Sequence, residues 1–210
     1  MRTRVKICGF TEVETAVTAA KLGVDAIGLV FYPASPRHVT IEQAAAIASA
    51  MPAFVAVVAL FVDADPNYIE QVLDQVAIDC IQFHGNESAE ACRRHQKPYL
   101  KAIRMQADTD LAALQTIYHD AAGLLLDAYH PGIQGGTGSS FDWNLIPPDC
   151  DLPIILAGGL TPDNIEQAIQ KVKPYAVDVS SGVEAGKGIK NVAKMAAFIR
   201  KTNQATENYD

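Results

Sequence analysis

The sequence has no apolar run long enough to cross a membrane, no cluster of basic residues and no closely spaced set of metal ligands. A bilayer core takes roughly 18–20 consecutive apolar residues. The longest run here, residues 54–62, is far shorter and reads as a buried strand. Met1-Arg2-Thr3-Arg4 runs straight into the strand-like Val5-Lys6-Ile7-Cys8, without the apolar stretch and small-residue cleavage site of a secretory signal. The formal net charge is −7 over 210 residues. With no basic patch, that balance argues against nucleic acid and anionic membrane as partners. Four cysteines, Cys8, Cys80, Cys92 and Cys150, stand too far apart for a zinc or redox motif. Free thiols in a reducing cytoplasm are the simplest reading. HExxH, CxxC and Walker A sequences are missing, and the first strand ends Cys8-Gly9-Phe10-Thr11 without the GxGxxG of a dinucleotide fold. No metal and no cofactor are expected, and the expected partner is a small-molecule substrate.

What is present is a regular alternation. Hydrophobic residues make up 49% of the chain and charged residues 20%, as in a globular domain, here read as one catalytic domain over residues 1–210. Eight short β-rich runs stand out, at residues 5–8, 26–31, 54–62, 80–84, 99–104, 123–127, 153–157 and 176–179. Most are continuously apolar, as parallel strands buried on both faces should be. Segments with helical character lie between them. Thr11 to Glu14 and Thr40 to Gln43 fit capping boxes, and Asp65-Pro66 and Thr161-Pro162 fit helix starts. Eight such units predict an α/β fold, a single (β/α)₈ (TIM) barrel. The polar tail, residues 202–210, reads as frayed.

In a barrel the reactive groups gather at the C-terminal strand ends. Cys8 falls at the end of strand one, and a helix starting near Thr11 would favour its thiolate. It reads equally as a small buried core residue. Asp127 closes the apolar run Gly123-Leu124-Leu125-Leu126, where a buried carboxyl can serve as a general acid. Arg37, in a loop stiffened by Pro33 and Pro36, can fork onto a carboxylate or simply be solvated. His84 ends strand four, as a substrate contact or a satisfied polar residue, and Asp178 lies in strand eight. Gly135 to Gly138, Gly158 with Gly159, and Ser180-Ser181-Gly182 form three small-residue loops at the ends of strands six to eight. Together they suit a phosphate, through backbone N–H groups that an anion can approach. The residues themselves therefore predict acid–base chemistry on a phosphorylated small molecule.

Read in order, the strings Lys6-Ile7-Cys8-Gly9, Phe31-Tyr32-Pro33-x-Ser35-x-Arg37, Gln82-Phe83-His84-Gly85, Asp127, Gly135-Gly136-Thr137-Gly138, Phe141-Asp142-Trp143, Ala157-Gly158-Gly159-Leu160 and Val177 to Glu184 resemble the phosphoribosylanthranilate isomerase family of tryptophan biosynthesis. The resemblance runs from Val5 to about Ile199. It implies an Amadori rearrangement of N-(5-phosphoribosyl)anthranilate to 1-(2-carboxyphenylamino)-1-deoxyribulose 5-phosphate. It further implies Asp127 as general acid and Cys8 as general base. Arg37 would hold the anthranilate, Asp178 and His84 would contact substrate, and Gly136, Gly158, Gly159, Ser180, Ser181 and Gly182 would hold the phosphate. Gln134, Ser139 and Asn191 depart from the family pattern. The isomerase of histidine biosynthesis would need Asp at position 8, and indole-glycerol-phosphate synthase needs a Lys and Glu set not found here. A non-catalytic phosphosugar-binding barrel is the rival of another class, disfavoured by the intact acid–base pair. Relatives occur as monomers and homodimers, and both remain open for this chain.

Overall fold

Strands and helices alternate along the chain of this computed structural model, which describes residues 2–128, 141–147 and 149–207. The strands are β1 (Arg4–Cys8), β2 (Ala26–Val30), β3 (Ala56–Phe61), β4 (Cys80–Phe83), β5 (Tyr99–Met105), β6 (Gly123–Ala128), β7 (Ile154–Leu156) and β8 (Ala176–Val179). All pair in parallel, and β8 returns to β1 to close the barrel. Each expected strand is present, with ends displaced by no more than two residues. The largest displacement has a local cause. Phe54 is fully exposed with φ of 72°, so β3 starts only at Ala56.

Side chains alternate across each strand. In β1, Val5 and Ile7 join the large core between barrel and helices, while Cys8 packs inside the barrel with Val30 and Leu60. The far side of the barrel interior is filled by small and branched residues, Ala102, Leu125, Ile155, Ala157 and Ala176. One device fixes strand starts twice. Asp25 and Asp79, each just ahead of a strand, accept from the backbone N–H groups of Val5 and Val57, both at 2.8 Å.

The helices are α1 (Val13–Lys21), α2 (Ile41–Ser49), α3 (Pro66–Gln75), α4 (Ala89–Arg93), α5 (Leu111–Ile117), α6 (Ile165–Val172) and α7 (Val192–Glu207). The Thr40–Gln43 capping box forms, and Asp65 caps α3 with Pro66 in its first turn. The box expected at Thr11 does not form. Glu12 is the N-cap without a side-chain bond, and the Thr11 hydroxyl donates to the carbonyl of Gly188 instead. Nor does α6 begin at Pro162. The Thr161 hydroxyl accepts from the Asp163 N–H, its carbonyl accepts from the Asn164 and Ile165 N–H groups in a closed turn, and the helix starts at Ile165. Between β6 and β7 the described residues hold only a 3₁₀ turn, Trp143–Leu145.

The expectation of a frayed tail over residues 202–210 is corrected for 202–207, while 208–210 lie outside the described residues. The last helix, α7, runs through Glu207, with Thr202 and Thr206 buried. Their hydroxyls bond back to the carbonyls of Phe198 and Thr202, and Thr206 Oγ1 accepts from the Thr3 N–H at 3.3 Å. Hydroxyls satisfied by the helix itself can be buried, and polarity alone misread them. No helix among the described residues is long and apolar enough to cross a membrane.

Candidate active site

A cavity opens at the C-terminal end of the barrel. It is lined by Cys8 of β1, Arg37 from the loop after β2, His84 after β4, Asp127 of β6, Gly158 and Gly159 after β7, Asp178 of β8, and Ser180 and Ser181 beyond it. Nine of the expected site residues therefore share one cavity. Gly182 does not line it. A methyl group there would stand 1.9 Å from the Leu160 carbonyl oxygen, so this glycine serves close packing of the loops. Gly136 and its neighbours Gly135, Thr137 and Gly138 lie outside the described residues, as do Gln134 and Ser139.

The thiol of Cys8 sits almost fully buried above Gly28, where a methyl group would come within 2.6 Å of Sγ. Burial pushes the thiol above its ordinary pKa. The Lys6 ammonium pulls the other way, Asp178 adds to the rise, and Lys190 opposes it. A thiolate drawn out by the dipole of α1 is thus corrected. That helix begins only at Val13, and at this buried position desolvation wins. Alkylation of Cys8 by iodoacetamide is accordingly expected to be slow at neutral pH and to accelerate as pH rises through and beyond the ordinary thiol range of about 8.5. A rate at neutral pH equal to that of a thiolate would contradict this.

Lys6 and Asp178 are register partners on β1 and β8 and form a buried ion pair, Nζ to Oδ1, at 3.0 Å. Burial opposes the Lys6 charge, but Asp178 and Cys8 outweigh it and raise its pKa. On the opposite wall, His84 Nε2 lies 3.1 Å from Asp127 Oδ2, and Gln82 Nε2 lies 2.9 Å from His84 Nδ1. Asp127 Oδ1 accepts from the Ala128 N–H at 2.9 Å. The Arg104 guanidinium of β5 donates to the His84 carbonyl at 3.2 Å.

Arg37 is held from behind. Its Nε and Nη2 fork onto Glu184 at 2.7 and 2.8 Å. Glu184 opens a short antiparallel ribbon, β9 (Glu184–Gly186) and β10 (Ile189–Lys190). Lys190 bonds the same carboxylate at 2.9 Å and reaches the carbonyls of Cys8 and Ser180. Burial works against the Glu184 charge, yet Arg37 and Lys190 hold its carboxyl below the usual range. Burial pushes the Lys190 ammonium down, with Glu184 opposing. Gly9, at φ of +85°, leaves room for this arginine, since a methyl there would meet Arg37 Cδ at 2.5 Å.

The anion-suited part is built on Gly158, at φ of +78°, where a methyl would strike the Ala128 nitrogen at 2.5 Å. Asn164 braces this loop, accepting from the Thr161 N–H and donating to the Gly159 carbonyl. Sequence reasoning missed Lys6, Gln82, Glu184 and Lys190. The first two carried a signal, since each is a polar residue at an inward position of an apolar strand. Among the described residues no group of three or more His, Cys, Asp or Glu side chains is placed to hold a metal ion.

A family model described as N-(5'phosphoribosyl)anthranilate (PRA) isomerase matches residues 5–201. The N-(5'-phosphoribosyl)anthranilate isomerase of Nitrosococcus oceani is 57% identical over 200 residues, spanning 95% of this chain and 97% of that one. Among solved structures, phosphoribosyl anthranilate isomerase from Thermotoga maritima, also described as dimeric, matches with a TM-score of 0.88 at 38% identity, over 96% of this chain and 99% of that one. A phosphoribosyl anthranilate isomerase in complex with reduced 1-(o-carboxyphenylamino)-1-deoxyribulose 5-phosphate matches with a TM-score of 0.85 at 37% identity, over the same shares. With motifs, barrel and a family model over residues 5–201 in agreement, the chain belongs to the N-(5'-phosphoribosyl)anthranilate isomerase family.

Proposed function

We propose that this chain catalyses the Amadori rearrangement of N-(5'-phosphoribosyl)anthranilate to 1-(2-carboxyphenylamino)-1-deoxyribulose 5-phosphate, a cytoplasmic step of tryptophan biosynthesis, with its single barrel as the whole catalytic domain. The observation that carries this reading is one cavity with Cys8 and Asp127 on non-neighbouring strands, beside an anion-suited loop. Asp127 gives a proton to the ribose ring oxygen as the bond from C1′ to that oxygen breaks. The ring opens to a protonated Schiff base. Cys8, as thiolate, takes the C2′ proton, and the electron pair flows into the iminium to give an enolamine, which becomes the ketone. Both groups act where water is largely excluded, so each proton passes directly between substrate and side chain. Direct assay of freshly made substrate, followed by loss of its fluorescence, tests the activity, and no turnover would refute it.

The phosphate end is assigned to the backbone around Gly158, Gly159 and Ser181, with Ser180 beside it. Gly136 belongs to the same assignment on sequence grounds. Gly182 supports it through packing. Inorganic phosphate is expected to compete with substrate, and a crystal soaked in phosphate to hold an ion against these N–H groups. Non-competitive inhibition, or an ion found only elsewhere, would count against the assignment.

Arg37 is assigned to the anthranilate carboxylate. Its Nη1 makes no hydrogen bond among the described residues, while the Glu184 fork fixes the plane of the guanidinium. Arg37→Ala is expected to weaken transition-state binding by about 2–4 kcal/mol, as for a desolvated charge-assisted pair. Lysine should restore little, because it lacks the fork. Unchanged kcat and KM in Arg37→Ala would remove this role. Asp178, bonded to Lys6, is assigned to the sugar hydroxyls, and His84 acts through Asp127. Both a monomer and a homodimer remain compatible with the chain, and the exposed Phe54 is a candidate contact for the latter.

A further inference from the structure

Three side chains run in series through the cavity wall: Gln82, His84 and Asp127. Gln82 is completely buried on β4, and its Oε1 has no hydrogen-bond partner. The amide's side-chain bonding is thus spent on one atom, Nδ1 of His84, at 2.9 Å. With the amide turned so that Nε2 faces the ring, its N–H donates and Nδ1 presents its lone pair. The imidazole then carries its single proton on Nε2, and donates it to Asp127 Oδ2 at 3.1 Å.

This arrangement bears on where a further proton can reside. A buried imidazole beside a buried carboxylate ordinarily invites an imidazolium–carboxylate pair. Such a pair would leave Asp127 without a proton to give. A second proton on the imidazole can bind only at Nδ1, and there the Gln82 N–H stands in its way, donor against donor. The remaining acceptor is Asp127.

We propose that Gln82 is a positioning residue that holds His84 as the neutral, Nε2-protonated imidazole, so that the site's transferable proton rests on Asp127. This rests on the reading of Asp127 as the acid. In the step itself the Asp127 O–H bond breaks, an O–H bond forms at the ring oxygen, and the electron pair of the breaking C1′–O bond goes to that oxygen. The His84 Nε2–H stays in place and stabilises the carboxylate left behind. The charged groups around the imidazole are Asp127 from β6 and Arg104 from β5, which donates to the His84 carbonyl. Lys101 from the same strand reaches Gly85 O and Glu87. Cys8, Arg37 and Asp178 share the cavity from β1, the loop after β2, and β8.

Two variants and one spectroscopic readout test the proposal. Gln82→Glu supplies only an acceptor, which draws a proton onto Nδ1 and leaves Asp127 ionised. Its kcat at neutral pH should fall about tenfold or more, with KM within about threefold of native. The alkaline limb of its kcat–pH profile should move to lower pH by about one unit. Gln82→Met removes the donor without adding an acceptor, and should move the limb the same way by less. Nitrogen-15 NMR of the native enzyme should show His84 with a protonated Nε2 and a bare Nδ1 at neutral pH, and Gln82→Glu with both nitrogens protonated. A native imidazolium, or profiles of both variants that coincide with the native one, would overturn the proposal. If Gln82→Glu does not fold, the methionine variant and the native spectrum decide. Native turnover in Asp127→Asn would sink the acid reading itself, while the His84 spectrum would still report on Gln82.

Discussion

Asp127→Asn is expected to turn substrate over about 10³-fold more slowly than the native chain, the size of a lost general acid. Asparagine nearly matches the aspartate in shape but has no transferable proton at any working pH. Its amide oxygen can still accept from the Ala128 N–H, so the end of β6 should keep its course. The amide nitrogen would face the Nε2–H of His84, which is a repulsive contact and a modest cost in stability. Product has an open ring and asks nothing of the acid, so its affinity should stay near native. Stopped-flow turnover at high enzyme concentration, with product titration alongside, separates the two. Turnover within about threefold of native would show that ring opening is assisted by some other group.

Cys8→Ala is expected to fail as severely, by about 10³-fold or more, at a different point. Ring opening still has its acid, but the C2′ proton has no acceptor. Substrate deuterated at C2′ should therefore keep its label, and the variant should still bind product. Cys8→Ser should be almost as poor, because a hydroxyl is far weaker as an acid than a thiol and supplies negligible oxyanion. The pH dependence carries a sign. Burial holds the thiol above its ordinary value, so the thiolate is scarce at neutral pH and grows as pH rises. A rate that follows the thiolate climbs with pH, and in Cys8→Ala that climb should vanish. Near-native kcat in Cys8→Ala would transfer the role of base elsewhere.

The barrel was legible because its strands are buried on both faces and so read as unbroken apolar runs. In such a run any polar side chain stands out, and Asp127 after three leucines, or Asp178 within Ala176-Val177-Asp178-Val179, is hard to overlook. Lys6 and Gln82 carry the same mark at inward positions, but each stands two residues before a more reactive side chain, Cys8 or His84, that draws the assignment. Glu184 and Lys190 had no such signal. They lie in a ribbon whose strands are three and two residues long, and no periodicity can register over so short a span. The identity of Cys8 was readable, but its ionisation was not. The competition between burial, Lys6, Asp178 and Lys190 depends on groups from three stretches of chain that only the closed barrel brings together.

The joining of β1 to β8 also sets a timetable. The contact between Lys6 and Asp178 spans 172 positions of sequence, and that between Thr3 and Thr206 spans 203. A chain emerging from the ribosome can pair β1 with β2 early, but it cannot close the ring until β8 has appeared, and Thr3, just ahead of β1, is tied to α7 only once Thr206 has followed. Loop closure over such distances is slow and comes late. Until then the unpaired edge of β1, together with the thiol that will become the base, faces solvent without the ammonium–carboxylate pair beside it. Catalytic competence should therefore arrive in one step once β8 has emerged, and nascent chains cut off before residue 176 should hold structure without activity.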